Sequence, residues 1–198
     1  MSSPRSPRSR TTVAISGDRI ARARNQGRIV IAPFDPGRLR PSSYVLSLGR
    51  RFRRWRTSRE PIVLWSPHAA RAHLEAPIDV DTITIEPREL LLGCSLEAIG
   101  VAPEVAGRLS PLSHVARFGL DIHGGASLVN PGFGWKAPTR LTLEIYNRNA
   151  SPIVLHATMP FAHLRFETVP DPGEEHARRS VYEGQDPLVE PLLFEEWS

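Results

Sequence analysis

Residues 141–147 read LTLEIYN, and apolar and polar side chains alternate along them. Successive side chains of a β-strand point to opposite faces, so this pattern predicts a strand with one packed and one hydrated face. Glu144 falls on the hydrated face together with Thr142 and Tyr146. The stretch therefore predicts a half-buried strand that displays a carboxylate.

Short β-type runs recur on both sides of this strand, separated by turn residues. The 14 glycines and 19 prolines are spread with the spacing of an all-β barrel or sandwich. Helical signals are limited to a short segment that starts near Ser16 or Asp18 and stops at Gly27, and to residues 113–118. The predicted strands are 29–31, 43–49, 61–65, 82–85, 89–95, 120–123, 141–147, 153–156 and 162–167.

The chain of 198 residues is long enough for one domain with a sizeable core. We predict a disordered basic tail over 1–14, a β-domain over 15–170 and a C-terminal arm over 171–198. With 40% hydrophobic and 23% charged residues, the composition is that of a soluble globular protein. No apolar run approaches the roughly 20 residues that cross a bilayer, and the first residues lack the apolar core of a secretion signal. We therefore expect a cytoplasmic protein without membrane contact.

The single cysteine, Cys94, excludes an intramolecular disulfide and a zinc site built on several thiolates. The sequence His73-Leu74-Glu75 matches half of a zinc deaminase signature, but the required pair of cysteines is missing. We therefore predict chemistry without a bound metal.

Positive charge is concentrated rather than uniform. Residues 50–59 read RRFRRWRTSR, six arginines with Phe52 and Trp55 between them. Such a run has two interpretations, a nucleic-acid clamp and a strand edge with solvated arginines and one packed aromatic ring. We favour the strand edge, because the net charge of the chain is only +4.

Several segments occur in an order that is informative as a set. They are residues 17–34 (GDRIARARNQGRIVIAPF), 41–53 (PSSYVLSLGRRFR), 85–109 (IEPRELLLGCSLEAIGVAPEVAGRL), 113–134 (SHVARFGLDIHGGASLVNPGFG), 141–147 (LTLEIYN) and 181–185 (VYEGQ). This order resembles the dCTP deaminase family, trimeric β-proteins that share the dUTPase fold. The resemblance implies a distorted β-barrel or jelly-roll of the dUTPase type with a short N-terminal helix, assembled as a homotrimer with active sites between subunits.

The resemblance also assigns a water-activating group. Glu144 matches the family's catalytic glutamate, a general base and acid. Ser113 and Arg117 match the residues that position the water and orient the carboxylate, and the backbone carbonyl of Ala126 matches one that helps hold the water. Read without the resemblance, the same residues are a hydrated strand glutamate, a helix N-cap serine and a solvated arginine.

Candidate substrate contacts are polar, aromatic or backbone groups near these residues. His123 is a further candidate, although a lone histidine in a strand is more often a packed one. Asn130 also has a simpler interpretation as the first residue of an Asn-Pro-Gly turn. The candidates implied by the resemblance are His114, Gly124, Gly125, Asn130, Trp135, Tyr182 and Gln185.

The matched segments depart from the family pattern at the phosphate site. Leu112 and Val181 replace an arginine and a lysine, and Asn130 replaces an aspartate that supports phosphate hydrolysis in dUTPase-type chemistry. Because asparagine is not a base, we predict conversion of dCTP and water to dUTP and ammonia, with Mg²⁺ entering only with the nucleotide phosphates. The alternatives are a dUTP diphosphatase and a catalytically inactive binding or regulatory protein of the same fold.

Overall fold

The computed structural model describes residues 12–63, 72–122, 126–170 and 184–188. The helices that lie wholly within these residues are α1 (Gly17–Asn25), a 3-10 helix (Pro36–Arg38) and α2 (Ser113–Arg117), and residues 72 and 73 are also helical. The strands are β1 (Val13–Ala14), β2 (Ile29–Ala32), β3 (Leu39–Arg40), β4 (Ser43–Ser47), β5 (Arg51–Arg54), β6 (Ile78–Asp79), β7 (Thr82–Ile85), β8 (Leu90–Val101), β9 (Val105–Pro111), β10 (Leu120–Asp121), β11 (Leu128–Val129), β12 (Thr139–Asn147), β13 (Ile153–His156) and β14 (Pro160–Thr168).

Two antiparallel sheets form the framework. The first sheet has the order β11-β9-β14-β4-β3, with β1 also paired to β14, and the second has the order β10-β12-β8-β5-β6, with β2 also paired to β8. Strands β7 and β13 form a separate pair. The all-β prediction is confirmed. In the described part of the chain the sheets stay open, so the arrangement is two packed layers rather than a closed barrel.

The main hydrophobic core lies between the two sheets. It contains Leu46 and Leu164 from the first sheet and Ile99 and Leu143 from the second, all fully buried. Buried and accessible positions alternate along β12, as the sequence predicted. Helix α1 adds Ile20 to the same core.

A buried polar contact also joins the sheets. The carboxylate of Glu97 on β8 accepts hydrogen bonds from the backbone N–H of Ser47 on β4 (2.9 Å) and from its hydroxyl (2.9 Å). Both residues are almost fully buried. Because a buried carboxylate without donors is costly, this contact fixes how the two layers face each other.

Most predicted strands are present with small shifts at their ends, and the helices at α1 and α2 are confirmed. The exception is the strand predicted over 89–95, since β8 continues six residues further, to Val101. Residues 61–63, predicted as the start of a strand, are not in one. Ile62 is 42% and Val63 is 60% exposed, and a β-type run without a pairing strand does not form a ladder. Residues 64 and 65 of that prediction lie outside the described residues. Val13 and Ala14, predicted within the N-terminal tail, form β1 against β14.

Among the described residues, the helices are too short or too polar for any of them to span a bilayer.

Candidate active site

Glu144 lies near the middle of the accessible face of β12. Its side chain is half-buried, while the flanking Leu143 and Ile145 point into the main core. A register shift between Arg140 and Thr142 marks a bulge just before it, where the Leu141 N–H donates to the Ser95 hydroxyl at 2.9 Å. β-Bulges redirect side chains and often lie next to active sites. The backbone of this strand is therefore fixed immediately before the candidate base.

A second, smaller hydrophobic cluster borders the same face. Leu92 is the residue opposite Glu144 on β8, and Cys94 is the residue opposite Thr142. Leu92 and Cys94 cluster with Leu74 and Leu188. Directly opposed side chains in an antiparallel pair are neighbours, so Glu144 lies at the edge of an apolar patch. We call these four residues the satellite cluster. Trp55 packs against it.

The C-terminal segment Gly184–Leu188 docks on this face of its own chain. The Gly184 N–H donates to the Thr139 hydroxyl at 3.0 Å, and the Thr142 hydroxyl donates to the Pro187 carbonyl. Leu188 is 1% exposed and completes the satellite cluster. The segment therefore follows β12 toward Glu144.

Arginines of β5 hold the same segment from the other side. Arg51 donates to the Asp186 carboxylate at 2.7 Å and to Asp79 at 3.0 Å, and Arg53 donates to the Leu188 carbonyl at 2.8 Å. The hydrogen bond with Asp186 is the main cause that raises the pKa of Arg51. These arginines are therefore engaged within the chain.

The strand-edge prediction for the arginine run needs a correction. Strand β5 lies inside the second sheet, between β6 and β8, and Phe52 is fully buried in the main core. The arginines of residues 50–54 are paired rather than simply solvated, since Arg54 also binds Glu89 and the Thr84 carbonyl, and Arg50 binds Asp81. The arginines and Phe52 alternate as in a strand inside a sheet. The arginine face of this strand meets carboxylates from distant segments of the chain.

Ser113, His114 and Arg117 are brought together on α2, and all three are exposed. Ser113 is the first helical residue and Leu112 occupies the N-cap, so the N-cap interpretation of Ser113 is wrong by one position. Leu112 is buried, and its apolar side chain anchors the start of the helix.

Helix α2 and Glu144 belong to different parts of the fold. The helix follows β9 of the first sheet, whereas Glu144 lies in the second sheet. Strand β10 connects them, because it leaves α2 and pairs with the end of β12, with Asp121 opposite Tyr146. Ala126 is exposed and precedes β11 at the edge of the first sheet.

The loop after β11 carries two more candidates. Asn130 is exposed, and its carbonyl accepts the Phe133 N–H at 3.1 Å, which is the turn predicted as its alternative role. Trp135 is half-buried and packs against the main core. Gly134 has φ +59°, and a Cβ there would come within 2.2 Å of the Ile99 carbonyl oxygen, so the loop lies tightly on β8.

Four candidates, His123, Gly124, Gly125 and Tyr182, lie outside the described residues. Gln185 is described and exposed, between the two anchored neighbours Gly184 and Asp186. The described residues contain no group of three or more His, Cys, Asp or Glu side chains that could hold a metal ion.

Sequence reasoning missed a polar pocket on the first sheet. It is lined by Arg40, Ser43, Ser110, His163 and Arg165 among others. The one signal available was the spacing of His163 and Arg165, which places both on one face of a strand. Nothing in the sequence indicated that the other three residues meet them.

The protein is thus an open, two-layered antiparallel β-protein that carries a glutamate on a strand beside a docked C-terminal segment. A model of the dCTP deaminase-like family matches residues 14–169. The chain belongs to this family, which confirms the resemblance. A protein of Corynebacterium kroppenstedtii named dCTP deaminase, dUMP-forming, is 31% identical over 173 residues, covering 84% of this chain and 89% of the relative.

Two other comparisons extend this result. A protein of Methanothermobacter thermautotrophicus with the same name is 31% identical over 182 residues, covering 87% of this chain and 90% of the relative. The crystal structure of 2'-deoxycytidine 5'-triphosphate deaminase from Agrobacterium tumefaciens matches with a TM-score of 0.62 and 19% identity, over 80% of this chain. This chain spans about half, 49%, of that protein. The match shows a shared fold.

Proposed function

We propose that the protein catalyses the hydrolytic deamination of dCTP. Water adds its oxygen to C4 of the cytosine ring, the C4–amine bond breaks, and the products are dUTP and ammonia. Membership of the dCTP deaminase-like family supports this reaction class. The observation that carries the proposal is the position of Glu144 on the accessible face of β12, between a bulge and an apolar cluster.

Glu144 acts as general base and then as general acid in this proposal. Its carboxylate takes one proton from the attacking water and delivers it to the ring nitrogen. It then takes the remaining proton from the new C4 hydroxyl and passes it to the amine as the C4–N bond breaks, so ammonia departs neutral. The satellite cluster at Leu92 limits water on one side of the carboxylate.

Ser113, Arg117 and the Ala126 carbonyl position the water and the carboxylate. Since the resemblance to the family implies active sites between subunits, we propose that these residues meet Glu144 across a subunit boundary in a homotrimer. Symmetric assembly then builds each site from two copies of the chain.

Mixed trimers test this assembly. Ser113→Ala and Glu144→Gln each inactivate the protein, but co-assembled variants restore intact sites where wild-type Ser113 and wild-type Glu144 come from different subunits. Random mixing restores about a quarter of the sites. Light scattering after size-exclusion chromatography checks the trimer mass. Failure of the mixture to regain any activity at the trimer mass contradicts a shared site.

The C-terminal arm closes over the nucleotide phosphates through Tyr182 and Gln185 in this proposal. Its support is the docking of Gly184–Leu188 along β12, which holds Gln185 beside the face of Glu144. Mg²⁺ binds with the phosphates of the substrate rather than in a protein cage.

The central experiment measures ammonia released from dCTP in the presence of Mg²⁺. Glu144→Gln removes the base and keeps the shape, and we expect the rate to fall by about 10² to 10⁴. Glu104→Gln is the matched control, because Glu104 forms a partly exposed ion pair with Arg28 on another part of the surface. Activity that survives Glu144→Gln refutes the assignment, and inertness of the wild type toward all cytosine nucleotides favours the inactive binding protein.

A second candidate product is dUMP. The relatives named above are called dUMP-forming, whereas Asn130 lacks the basicity to assist phosphate hydrolysis. Anion-exchange chromatography of the products separates the two outcomes. We expect dUTP without pyrophosphate, and stoichiometric dUMP and pyrophosphate would show that another residue supports hydrolysis.

A further inference from the structure

A cavity of about 350 Å³ opens on the first sheet, away from the face of Glu144. Two arginines, Arg40 and Arg165, line it together with His163 and the serines 42, 43 and 110. Its described lining contains neither Asp nor Glu. The site therefore offers positive charge and hydroxyl donors without an internal counter-charge.

Three neighbouring strands build this cavity. His163 and Arg165 are two residues apart on β14, so they lie on one face of the sheet. Ser110 on β9 is the residue opposite His163. Ser43 on β4 contacts His163 from the other side, with 3.0 Å between the Ser43 Oγ and the His163 Nδ1. Because β14 pairs with both β9 and β4, the floor of the cavity is a rigid part of the fold.

The cationic side chains have capacity left for a ligand. One terminal nitrogen of Arg40, Nη1, donates to the carbonyls of Gly37 (2.9 Å) and Leu39 (2.7 Å), which fixes the direction of the guanidinium. Arg165 is exposed at the rim. Burial, followed by the nearby Arg40 and His114, lowers the pKa of His163. At neutral pH His163 is therefore a neutral hydrogen-bonding group, and the charge comes from the arginines.

Arginine and hydroxyl donors around a small concave site match the oxygens of a phosphate group. A guanidinium binds phosphate through two parallel hydrogen bonds, and such charge-assisted bonds are about twice as strong as neutral ones. The volume of the cavity accommodates a small anion but no folded partner.

We infer that this cavity binds the oligophosphate group of a nucleotide. This inference rests on the proposed function for the identity of the ligand as a nucleotide. Ser110 of the cavity is three residues before Ser113, since β9 runs directly into α2. Three residues span at most about 11 Å, so the cavity adjoins the candidate catalytic helix. The nucleotide is either the substrate itself or a separate effector.

Calorimetric titration with inorganic tripolyphosphate tests the inference without catalysis. We expect saturable binding to the wild type and at least about tenfold weaker binding to Arg165→Met and to Arg40→Met. Arg50→Met is the matched control, because it removes the same charge from an exposed ion pair with Asp81, and its affinity should stay within about twofold. Thermal unfolding confirms that the variants fold. Absent binding to the wild type, or unchanged affinity in both variants, overturns the inference.

Kinetics with dCTP distinguish the two sources of phosphate. A higher KM with unchanged kcat in Arg165→Met and Arg40→Met assigns the cavity to the substrate's own phosphates. Unchanged KM together with lost tripolyphosphate binding assigns it to an effector nucleotide. Ammonia release by the wild type tests the proposed function separately, since tripolyphosphate binding does not depend on deamination.

Discussion

Leu188→Ala should release the C-terminal segment from β12 while leaving the two sheets intact. Leu188 is 1% exposed and belongs to the satellite cluster, not to the main core. The segment Gly184–Leu188 is otherwise held by a small number of hydrogen bonds and by the ion pair of Asp186 with Arg51. The variant therefore removes the one fully buried apolar side chain among the five described residues of this segment.

The free energy of docking is a small difference between opposing contributions. Ordering the backbone of five residues costs about 1 to 2 kcal/mol each. The hydrogen bonds contribute about 0.5 to 1.5 kcal/mol each, or up to about 3 where a charged group takes part, which is of the same order in total. Burial of one leucine contributes about 2 kcal/mol. Since about 1.4 kcal/mol is tenfold in an equilibrium constant, we expect the undocked population to rise about 30-fold.

Cys94 reports this opening directly, because it is the only cysteine and lies in the same cluster with 0% exposure. Burial raises the pKa of its thiol, so both access and ionisation protect it in the docked state. The labelling rate with an aromatic disulfide should rise about 30-fold in Leu188→Ala. Leu128→Ala, at a leucine that is 52% exposed, should label like the wild type. An unchanged labelling rate in Leu188→Ala would refute the reasoning, and so would a loss of global stability as large as that of a core truncation.

Three further predictions concern the framework. Ser47→Ala removes a hydroxyl donor from the buried carboxylate of Glu97 and should lower the free energy of unfolding by about 1.5 to 3 kcal/mol in urea titrations. The folded-state pKa of His163 lies below its unfolded value of about 6.5, so stability should fall as pH drops from 6.5 through the folded pKa, and His163→Gln should remove this dependence. Gly134→Ala should cost about 1 to 3 kcal/mol more than Gly27→Ala by thermal unfolding, because both have positive φ but only the former meets a backbone carbonyl. Equal costs for the two glycine variants would contradict the close contact.

The strand that carries Glu144 could be predicted from sequence because its signal is local. An alternation with a period of two along 141–147 is enough to place Leu143 inside and Glu144 outside. Strand β9 has no such signal, since Gly107 and Pro111 interrupt its pattern. The absence of a side chain at Gly107 nevertheless suits this strand, because a Cβ there would lie only 3.1 Å from Leu164 and 3.2 Å from Val129. This close packing is visible only in the assembled sheet.

The site shows the same division between local and long-range information. The motif order gives the family and the candidate base, and the spacing of Ser113 and Arg117 gives their common helix. The partners of the arginine run could not be predicted, because Arg51 and Asp186 are 135 positions apart. Ion pairs between exposed charges are decided by which surfaces the fold brings together, and the sequence holds many equivalent carboxylates.

These pairings distinguish two pairs of arginines with different consequences. Arg51 and Arg54 meet carboxylates and carbonyls of their own chain, so their charge serves to hold the C-terminal segment and the segments that carry Glu89 and Thr84. Arg40 and Arg165 line a cavity whose described lining has no carboxylate. Charge that is neutralised within the fold contributes little to attracting a ligand, whereas charge left in a concave site raises the local concentration of anions. The attraction for a nucleotide polyphosphate should therefore come from the cavity on the first sheet and not from the paired arginines of residues 50–54.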